Sequence, residues 1–352
     1  MQYCGPVASE QTDIDWGIVM NLANVIEGHS DDRRALIDGE IVVTFGELRD
    51  RVSALRSQLA SMGIGRGDSV ALAAGNEVHF ATGALAVLGL GAIVMPVNPQ
   101  SPPAELRLRI DMVQPRLLLV GEDGQGLLGI DDELGVEALD MTTLAAVAAT
   151  DPDPGIVDVE PDDRAFYMAT SGVSGAPKVA ILSHYNLRWV QEAMGQGLDP
   201  MQPDDVTLGC LSFAHIFGLN VVLLYGPRVG SCIVLQRRFD ADESLRLIRE
   251  HGVTVLAGAP PMWQRWAKAD APDDSLSTIR FAASGAAALP LGVFETIRDR
   301  YGVEVAQGYG LTETSPVVTM GRGYAVRPSS VGKVLDGVTV ALVDDNGMPV
   351  DI

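Results

Sequence analysis

The most informative nine residues of the chain are Thr170-Ser171-Gly172-Val173-Ser174-Gly175-Ala176-Pro177-Lys178, which directly follow the apolar run 165–169. Glycines allow several backbone N–H groups to face one point, and the three hydroxyls add further donors. Lys178 supplies a positive charge suited to phosphate, and the chain has only two other lysines. Such a segment is also typical of a surface turn. Its spacing is not that of a P-loop NTPase, because Pro177 stands where the second glycine is required.

The composition limits the possible classes of function. The chain has 352 residues, of which 47% are hydrophobic, enough for about two domains. A formal charge of −21 argues against a broad surface for nucleic acid or anionic membranes, so any phosphate binding must be local. The cysteines, Cys4, Cys210 and Cys232, form no C-x-x-C pair, which predicts reduced thiols, no zinc site and a cytoplasmic location. Neither a signal peptide nor a transmembrane segment is predicted.

Helix and strand patterns alternate along the chain. Helix signals cover 44–62, 77–88, 102–112, 242–250, 261–268 and 290–301. Strand signals cover 69–74, 92–97, 116–120, 206–211, 231–235, 253–257, 279–283 and 303–306. This alternation predicts an α/β fold with largely parallel sheets and flanking helices, in which ligands bind at the C-terminal ends of strands. The tail differs, since 338–343 and 348–351 flank a hairpin signal at 344–347.

One glycine pattern suggests a different cofactor. Gly124-Gln125-Gly126-Leu127-Leu128-Gly129 fits the dinucleotide pattern G-x-G-x-x-G and would support a nicotinamide-dependent dehydrogenase. That pattern should open a helix, whereas acidic residues and another glycine follow at 131–135. Acidic residues would repel a pyrophosphate, so we expect a surface loop here.

Three further segments follow predicted strands. Gln307-Gly308-Tyr309-Gly310-Leu311-Thr312-Glu313-Thr314 offers an aromatic face for a base, a hydroxyl for a phosphate and a carboxylate for a hard cation. Ala283-Ser284-Gly285-Ala286-Ala287-Ala288 presents mainly backbone, which suits a flat ligand. Residues 211–218 bring His215 among apolar residues. Each also has a structural interpretation: a chain reversal, a buried structural histidine, or a helix cap at Glu313.

Taken together and in order, these segments resemble the adenylate-forming superfamily of acyl-CoA synthetases, luciferases and peptide-synthetase adenylation domains, closest to the fatty-acyl-CoA ligases. Residues 170–178 are similar to the phosphate loop T-S-G-T-T-G-x-P-K-G, 307–313 to Q-G-Y-G-x-T-E, and 284–287 to the adenine-contacting turn. Residues 329–333 resemble the segment G-S-V-G-x-P, and 44–48 and 97–99 also fit. The chain departs from the family at Val173, Ser174 and Val179, and Ala214 precedes His215 where the family has phenylalanine.

The resemblance implies a role for each matching residue. Lys178 and the loop would hold the β- and γ-phosphates of ATP, and Thr312 would contact the α-phosphate. The implied metal ligands for Mg²⁺ are Thr170 and Glu313, and Tyr309 would stack on adenine. The implied catalytic residues are Lys178, His215, Thr312 and Glu313. The implied nucleotide-binding residues are Thr170, Ser171, Gly172, Ser174, Gly175, Lys178, Gly285, Ala286, Ala287, Gly308, Tyr309, Gly310 and Thr312. The implied acyl-binding residues are His215, Phe217, Gly218, Trp263, Ala283 and Gly285.

The implied reaction is activation of a carboxylic acid with ATP and Mg²⁺ to an acyl-adenylate, followed by transfer to the thiol of CoA. The residues around His215 provide no acidic partner for an ammonium group, so we expect a fatty or other apolar acid, in lipid metabolism, rather than an amino acid. One alternative is a fatty acyl-AMP ligase that delivers to a carrier-protein thiol. Another is a module that binds nucleotide or acyl-adenylate without turnover.

The resemblance also implies a domain organisation. Residues 1–352 match the large N-terminal AMP-binding domain, with approximate α/β subdomains at 1–200 and 201–328 and the start of a small β-barrel at 329–352. In the family, a ribose-binding aspartate, a hinge and a small domain with a catalytic lysine come next, whereas no lysine follows Lys333 in this sequence. We therefore expect the isolated chain to bind ATP and acyl-adenylates but to form thioesters poorly.

Overall fold

The computed structural model describes residues 20–144, 153–170, 178–344, 346 and 348–350. Its strands are β1 (Arg34–Asp38), β2 (Ile41–Thr44), β3 (Ser69–Ala73), β4 (Ile93–Val97), β5 (Leu117–Val120), β6 (Ala138–Asp140), β7 (Arg164–Thr170), β8 (Lys178–Ser183), β9 (Val206–Gly209), β10 (Cys232–Leu235), β11 (Val255–Gly258), β12 (Phe281–Ser284), β13 (Val305–Tyr309), β14 (Thr319–Met320) and β15 (Lys333–Val334).

The helices lie mainly between successive strands. They are α1 (Phe45–Ser61), α2 (Val78–Gly89), α3 (Pro103–Val113), α4 (Asp131–Leu134), α5 (Met141–Leu144), α6 (His184–Gly195), α7 (Tyr225–Arg228), α8 (Ala241–His251), α9 (Pro260–Lys268) and α10 (Leu291–Tyr301). Short 3₁₀ segments occur at Leu22–Ile26, Glu122–Leu127 and Thr312–Thr314, and a π-helical segment at Phe217–Leu224 leads into α7. Among the described residues, no helix is long and apolar enough to cross a membrane.

Two mixed, mostly parallel sheets organise the molecule. The larger has the strand order β15-β14-β13-β12-β11-β9-β10-β1-β2, and the smaller has the order β6-β5-β3-β4-β7-β8. The central strands are parallel, whereas β1–β2, β7–β8 and β13–β14–β15 pair antiparallel at the edges. The predicted α/β fold with two largely parallel sheets is therefore confirmed.

Local sequence signals explain why several elements form where they do. Thr44 caps α1 in a capping box: its hydroxyl accepts from Glu47 N at 3.2 Å, and the Glu47 carboxylate accepts from Thr44 N at 2.9 Å. Helix α2 is apolar on every side, and it is almost wholly buried because it packs against α1, β3 and β4.

The structure corrects several details. The 124–129 glycine segment is not a dinucleotide motif, because no long helix begins there: the 3₁₀ segment Glu122–Leu127 covers most of it and only the four-residue α4 follows. The expected surface position holds for Gln125, Gly126 and Gly129, which are exposed, while Gly124 and Leu127 are buried. The hairpin β1–β2 and the π-helical segment have no counterpart among the predicted elements. In the predicted tail hairpin, Val343 pairs with Pro349 in a single antiparallel bridge, while Asp345, Gly347 and Asp351 lie outside the described residues.

Sheet membership also crosses the predicted subdomain boundary near residue 200. The hairpin β1–β2 joins the larger sheet through parallel pairing with β10, although the remaining strands of that sheet begin at Val206. The approximate division into 1–200, 201–328 and 329–352 stays a prediction.

Asn76 joins the two sheets. It follows β3 in the smaller sheet, and its amide nitrogen donates to the carbonyl oxygens of Gly209 and Leu211, both at 2.8 Å. Its amide oxygen accepts from Phe213 N at 3.0 Å. Because Asn76 is buried, these three bonds satisfy backbone groups that water cannot reach. The C-terminal ends of β3 and β9 are therefore held together.

An ionisable cluster lies beside this junction. Arg237, from the larger sheet, pairs with Asp38 at 3.0 Å and with Glu122, and it lies 3.7 Å from the fully buried Glu77. Both carboxylate oxygens of Glu77 are buried, and no side chain among the described residues donates a hydrogen bond to them. Burial raises the pKa of Glu77 to about 7, the charge of Arg237 opposes the rise, and Asp123 and Glu122 add to it.

We predict that Glu77→Gln stabilises the protein at high pH. The raised pKa means that the folded state holds this proton more tightly than the unfolded state, so the stabilisation is full below about pH 4.5 and is lost as pH rises through 7. Glutamine stays neutral throughout, so urea denaturation should show the variant gaining about 2–3 kcal/mol over wild type between pH 5 and pH 8. Glu40→Gln, at an exposed position, is the control. An unchanged difference across this range would contradict the assignment.

Candidate active site

A cavity of about 580 Å³ lies between the face of the larger sheet and the π-helical segment with α7. It brings together the following predicted site residues: His215, Phe217, Gly218, Ala283, Gly285, Ala286, Gly308, Tyr309, Gly310 and Thr312. Because these residues follow or end strands β9, β12 and β13, the cavity opens at the C-terminal edge where parallel sheets bind ligands.

His215 lies on the turn between β9 and the π-helical segment. The turn is closed by His215 N donating to the carbonyl of Ser212 at 3.0 Å. Glycine is required at position 218, since a Cβ there would lie 2.4 Å from the same carbonyl oxygen. The His215 residue is exposed at the cavity, yet surrounding protein lowers the pKa of its imidazole, and the charge of Arg109 lowers it further. The imidazole is therefore neutral at pH 7.

The predicted adenine-contacting turn follows β12 directly. Ala286 adopts φ 71°, a left-handed conformation that a residue with a side chain rarely occupies. The turn is held by Gln307, whose side-chain oxygen accepts from Leu289 N at 2.8 Å and whose amide nitrogen donates to Pro328 O. The ring of Phe217 packs against Gly285, where a Cβ would approach it to 3.0 Å. Ala287 is exposed and does not line the cavity.

Residues 308–312 line the cavity. Gly310 lies so close to the chain after the turn that a Cβ would be 1.4 Å from Pro316 O, so only glycine fits. Tyr309 is 46% exposed, which leaves its ring free for contact with a ligand. Thr312 begins the 3₁₀ segment and lines the cavity, whereas the exposed Glu313 lies outside its wall.

The β7–β8 hairpin carries the ends of the predicted phosphate loop. Thr170, the last residue of β7, pairs directly with Lys178, the first residue of β8. Strand β8 contacts the 3₁₀ segment Thr312–Thr314, so the loop base from the smaller sheet meets the motif from the larger one. The predicted loop residues Ser171, Gly172, Ser174 and Gly175 lie outside the described residues.

The hard oxygen donors suit Mg²⁺ better than a transition metal. Glu313 and Thr170 offer one carboxylate and one hydroxyl, and magnesium at nucleotide sites typically uses one or two carboxylates together with substrate phosphates. In the part of the chain that the structure describes, no cluster of three or more His, Cys, Asp or Glu residues could hold a metal by itself. The donor set therefore fits a magnesium ion that arrives with the nucleotide.

Trp263 does not line the cavity, contrary to the predicted acyl contact. Its side chain is fully buried in α9, and its indole N–H lies 3.2 Å from the carbonyl oxygens of Gly258 and Ala283. It also packs edge-on against Trp266. Helical position alone did not reveal which side of α9 faces the sheet. Trp263 supports the wall from behind.

Several cavity residues were not among the predicted site residues. Gln307 belongs to the predicted motif but had no predicted role, and in the structure its side chain holds the predicted adenine-contacting turn. Thr207, Tyr225 and Arg322 line the far end of the cavity. The only sequence feature that could have indicated Arg322 as a site residue is its position directly after a largely apolar stretch, 316–321.

Comparison with known proteins agrees with this geometry. The model of the AMP-binding enzyme family matches residues 22–351. The chain belongs to this family. It is 32% identical over 338 residues to 4-coumarate–CoA ligase 5 of Oryza sativa subsp. japonica, covering 90% of this chain and 62% of the relative. It is 30% identical over 301 residues to 4-coumarate–CoA ligase 3 of Arabidopsis thaliana, covering 81% and 54%. The chain thus spans about three-fifths of the length of these AMP-binding enzymes.

Solved structures give the same fold. ATP-bound MatB from Rhodopseudomonas palustris superposes with a TM-score of 0.85 at 25% identity, covering 95% of this chain and 68% of that protein. The anthranilate CoA ligase AuaEII in complex with anthranoyl-AMP superposes with a TM-score of 0.88 at 21% identity, covering 96% and 68%. The second likeness is a likeness of fold alone.

We predict that Tyr309→Ala weakens the binding of an acyl-sulfamoyl adenosine by about 1–3 kcal/mol, because the mutation removes an aromatic face on which adenine stacks. Calorimetric titration of wild type and variant measures the difference. Tyr324→Ala, which removes another exposed tyrosine that is not part of this cavity's wall, should leave the affinity unchanged. Equal affinities for wild type and Tyr309→Ala would make Tyr309 a packing residue only.

Proposed function

We propose that the protein activates a carboxylic acid with ATP and Mg²⁺ to an acyl-adenylate, with release of pyrophosphate, and passes the acyl group to the thiol of CoA. The observation that carries the proposal is that the His215 turn, the 284–286 turn and the 308–312 segment all line the same cavity. Membership of the AMP-binding enzyme family and the names of its relatives add support.

The proposed chemistry relies on positioning and charge neutralisation. A carboxylate oxygen of the acid attacks the α-phosphorus, and pyrophosphate leaves with the electron pair of the broken P–O bond. Thr312 donates to the α-phosphate, and Lys178 neutralises charge on the leaving phosphates. His215 is neutral at pH 7, so it can donate a hydrogen bond to the incoming carboxylate. It forms no ion pair, which would stabilise the carboxylate before it reacts. Magnesium, when bound, would supply positive charge at the phosphates, held by Glu313 and Thr170.

For the acid, we propose an apolar or aryl tail. The cavity wall is formed largely by apolar side chains, including Met194, Ile216, Val221 and Val255. A carboxylate that could pair with the ammonium of an amino acid is lacking among the described cavity residues, and an unpaired buried ammonium would be costly. The fatty acid suggested by the sequence and the aryl acid suggested by the relatives' names are the two candidates within this class.

The acceptor and the setting are also part of the proposal. CoA is the acceptor we favour, since the relatives are named as CoA ligases. A carrier-protein thiol, and a module that binds acyl-adenylate without turnover, are the alternatives. A role in the cytoplasm and in lipid metabolism stays a prediction from the sequence.

We predict that Lys178→Ala lowers affinity for Mg-ATP much more than affinity for AMP, because AMP lacks the terminal phosphates assigned to this lysine. Parallel calorimetry with the two nucleotides measures the effect. Lys268→Ala removes an exposed lysine at the end of α9 and should change neither affinity. An equal loss for both nucleotides, or no loss for either, would remove the assignment.

A series of acyl-sulfamoyl adenosines tests the proposed acid. An apolar wall gains about 0.8 kcal/mol for each buried methylene group, so affinity should climb with alkyl length until the cavity is full. An arylacryloyl analogue that binds more tightly than an alkyl analogue of equal carbon number would select the aryl acid. A flat response to tail length, or tighter binding of an aminoacyl analogue, would refute the apolar assignment.

A further inference from the structure

The cavity extends well away from the proposed adenylate site. It runs down the face of the larger sheet to Thr207, Val255 and Phe281, which lie side by side in register on β9, β11 and β12. Ser284 lies three residue steps beyond Phe281 along β12, which is about 10 Å at 3.3 Å per residue. On the opposite wall, Tyr225 lies one to two helical turns beyond the start of the π-helical segment. This region is the far end of the cavity.

Three polar side chains at the far end have donor groups without an acceptor among the described residues. Thr207, Tyr225 and Arg322 are 1%, 2% and 5% exposed. The Thr207 hydroxyl and two nitrogens of Arg322, Nε and Nη2, make no hydrogen bond with any part of the chain that the structure describes, and the Tyr225 O–H donates to no acceptor there, although the Met201 backbone N–H faces its oxygen. Folded proteins leave few buried polar groups unpaired, since each such group loses its bonds to water without replacement. Three such side chains line the same end of one cavity. We therefore infer that a ligand bound in the cavity supplies their hydrogen-bond acceptor.

These side chains belong to one neighbourhood. The guanidinium of Arg322 lies over the ring of Phe281, 4.3 Å from its centroid. Burial raises the pKa of the Tyr225 hydroxyl, and the charge of Arg322 opposes this rise without cancelling it. The phenol therefore keeps its proton at neutral pH. Tyr225 can thus donate a hydrogen bond, as can Thr207 and Arg322. The far end is a group of donors that lack acceptors.

The charges nearby decide what kind of acceptor fits. Arg280 pairs with Asp205 through two nitrogens and with Asp199 at 2.8 Å, while Arg322 Nε lies 3.6 Å from Asp199. Two guanidinium groups therefore already face two carboxylates. A second carboxylate from a ligand would add a buried charge without a counter-ion. A neutral oxygen would accept from the unpaired donors and add no charge.

We propose that the acid bound here carries an uncharged oxygen acceptor, a hydroxyl or a carbonyl, at the end remote from its carboxylate. Thr207, Tyr225 and Arg322 donate hydrogen bonds to that oxygen. This inference rests on the proposed acid-activating function and refines it. The tail of the acid lies along apolar walls, and its tip is polar. Thr207 and Tyr225 can reach the oxygen by rotation of their hydroxyl groups.

Three acyl-sulfamoyl adenosines of matched tail length, ending in methyl, hydroxyl or carboxylate, test the proposal by calorimetry on the full chain. Tails that span about 10 Å, the length of the cavity along β12, are the relevant ones. We expect the hydroxyl-ended analogue to bind at least about tenfold more tightly than the methyl-ended one, because an apolar tip leaves the buried donors unpaired. The carboxylate-ended analogue should bind more weakly than the hydroxyl-ended one.

Variants assign the preference to these side chains. Arg322→Met should reduce the hydroxyl-to-methyl ratio to about one, and Tyr225→Phe and Thr207→Val, which keep size and shape, should each reduce it severalfold. Tyr301→Phe is the matched control, since its hydroxyl is buried elsewhere and lies 3.1 Å from the carbonyl of Trp266. The two isosteric variants replace unpaired polar groups, so their thermal midpoints should not fall.

The outcomes separate this inference from the function on which it rests. Analogues that all bind, with the methyl end equal to or tighter than the hydroxyl end, would overturn the far-end acceptor and leave acid activation standing. Tightest binding of the carboxylate-ended analogue would overturn the uncharged acceptor in favour of a dicarboxylic acid. Failure of every analogue to bind wild type would overturn both proposals.

Discussion

The hydrogen bonds of Asn76 are the interaction on which the candidate site depends most. The cavity lies on the larger sheet, but the predicted phosphate loop is carried by β7 and β8 of the smaller one. Asn76 bonds the end of β3 to the backbone that leads from β9 to the His215 turn, and Phe213 from that turn then packs against Phe80 in α2, with ring centroids 5.5 Å apart. This junction fixes the distance between the end of β3 in the smaller sheet and the His215 turn of the larger one.

A second fixed point lies beside the π-helical segment. Asn220 is buried in that segment, accepts from Gln191 of α6 at 2.7 Å and donates to the carbonyls of Leu187 and Ser315. Ser315 directly follows the Thr312–Thr314 segment. The Asn220 side chain therefore joins the π-helical wall of the cavity to the segment that carries Thr312, the proposed α-phosphate contact. Asn220 lies in the π-helical segment, and π-helical turns are often found at functional sites.

The sequence predicted the fold well, and it predicted that the motifs after β12 and β13 lie close together, for a physical reason. Hydrophobic runs bounded by glycine and proline mark parallel strands, and parallel topology brings their C-terminal ends together, so motifs that follow 283 and 306 converge in space without any knowledge of contacts. The residues at the far end of the cavity could not be predicted in this way. Thr207, Tyr225 and Arg322 come from three distant segments, and each is ordinary in its local sequence. The sequence of α9 does not show which surface Trp263 packs against, because a short amphipathic helix with Pro, Met and two tryptophans offers apolar residues to more than one surface.

The two ends of the cavity would discriminate among acids in different ways. An apolar wall distinguishes tails by about 0.8 kcal/mol for each methylene group, which is a graded and weak selection. A buried group of donors selects more sharply, since an acid without the matching oxygen leaves them unpaired in a place that water does not reach. Unpaired polar groups reduce the stability of the unliganded fold, and a chain that retains three of them at one cavity end gives up stability there. That stability is regained only when a ligand brings the acceptor, so the far end favours the acid with the matching tip over all others of equal length.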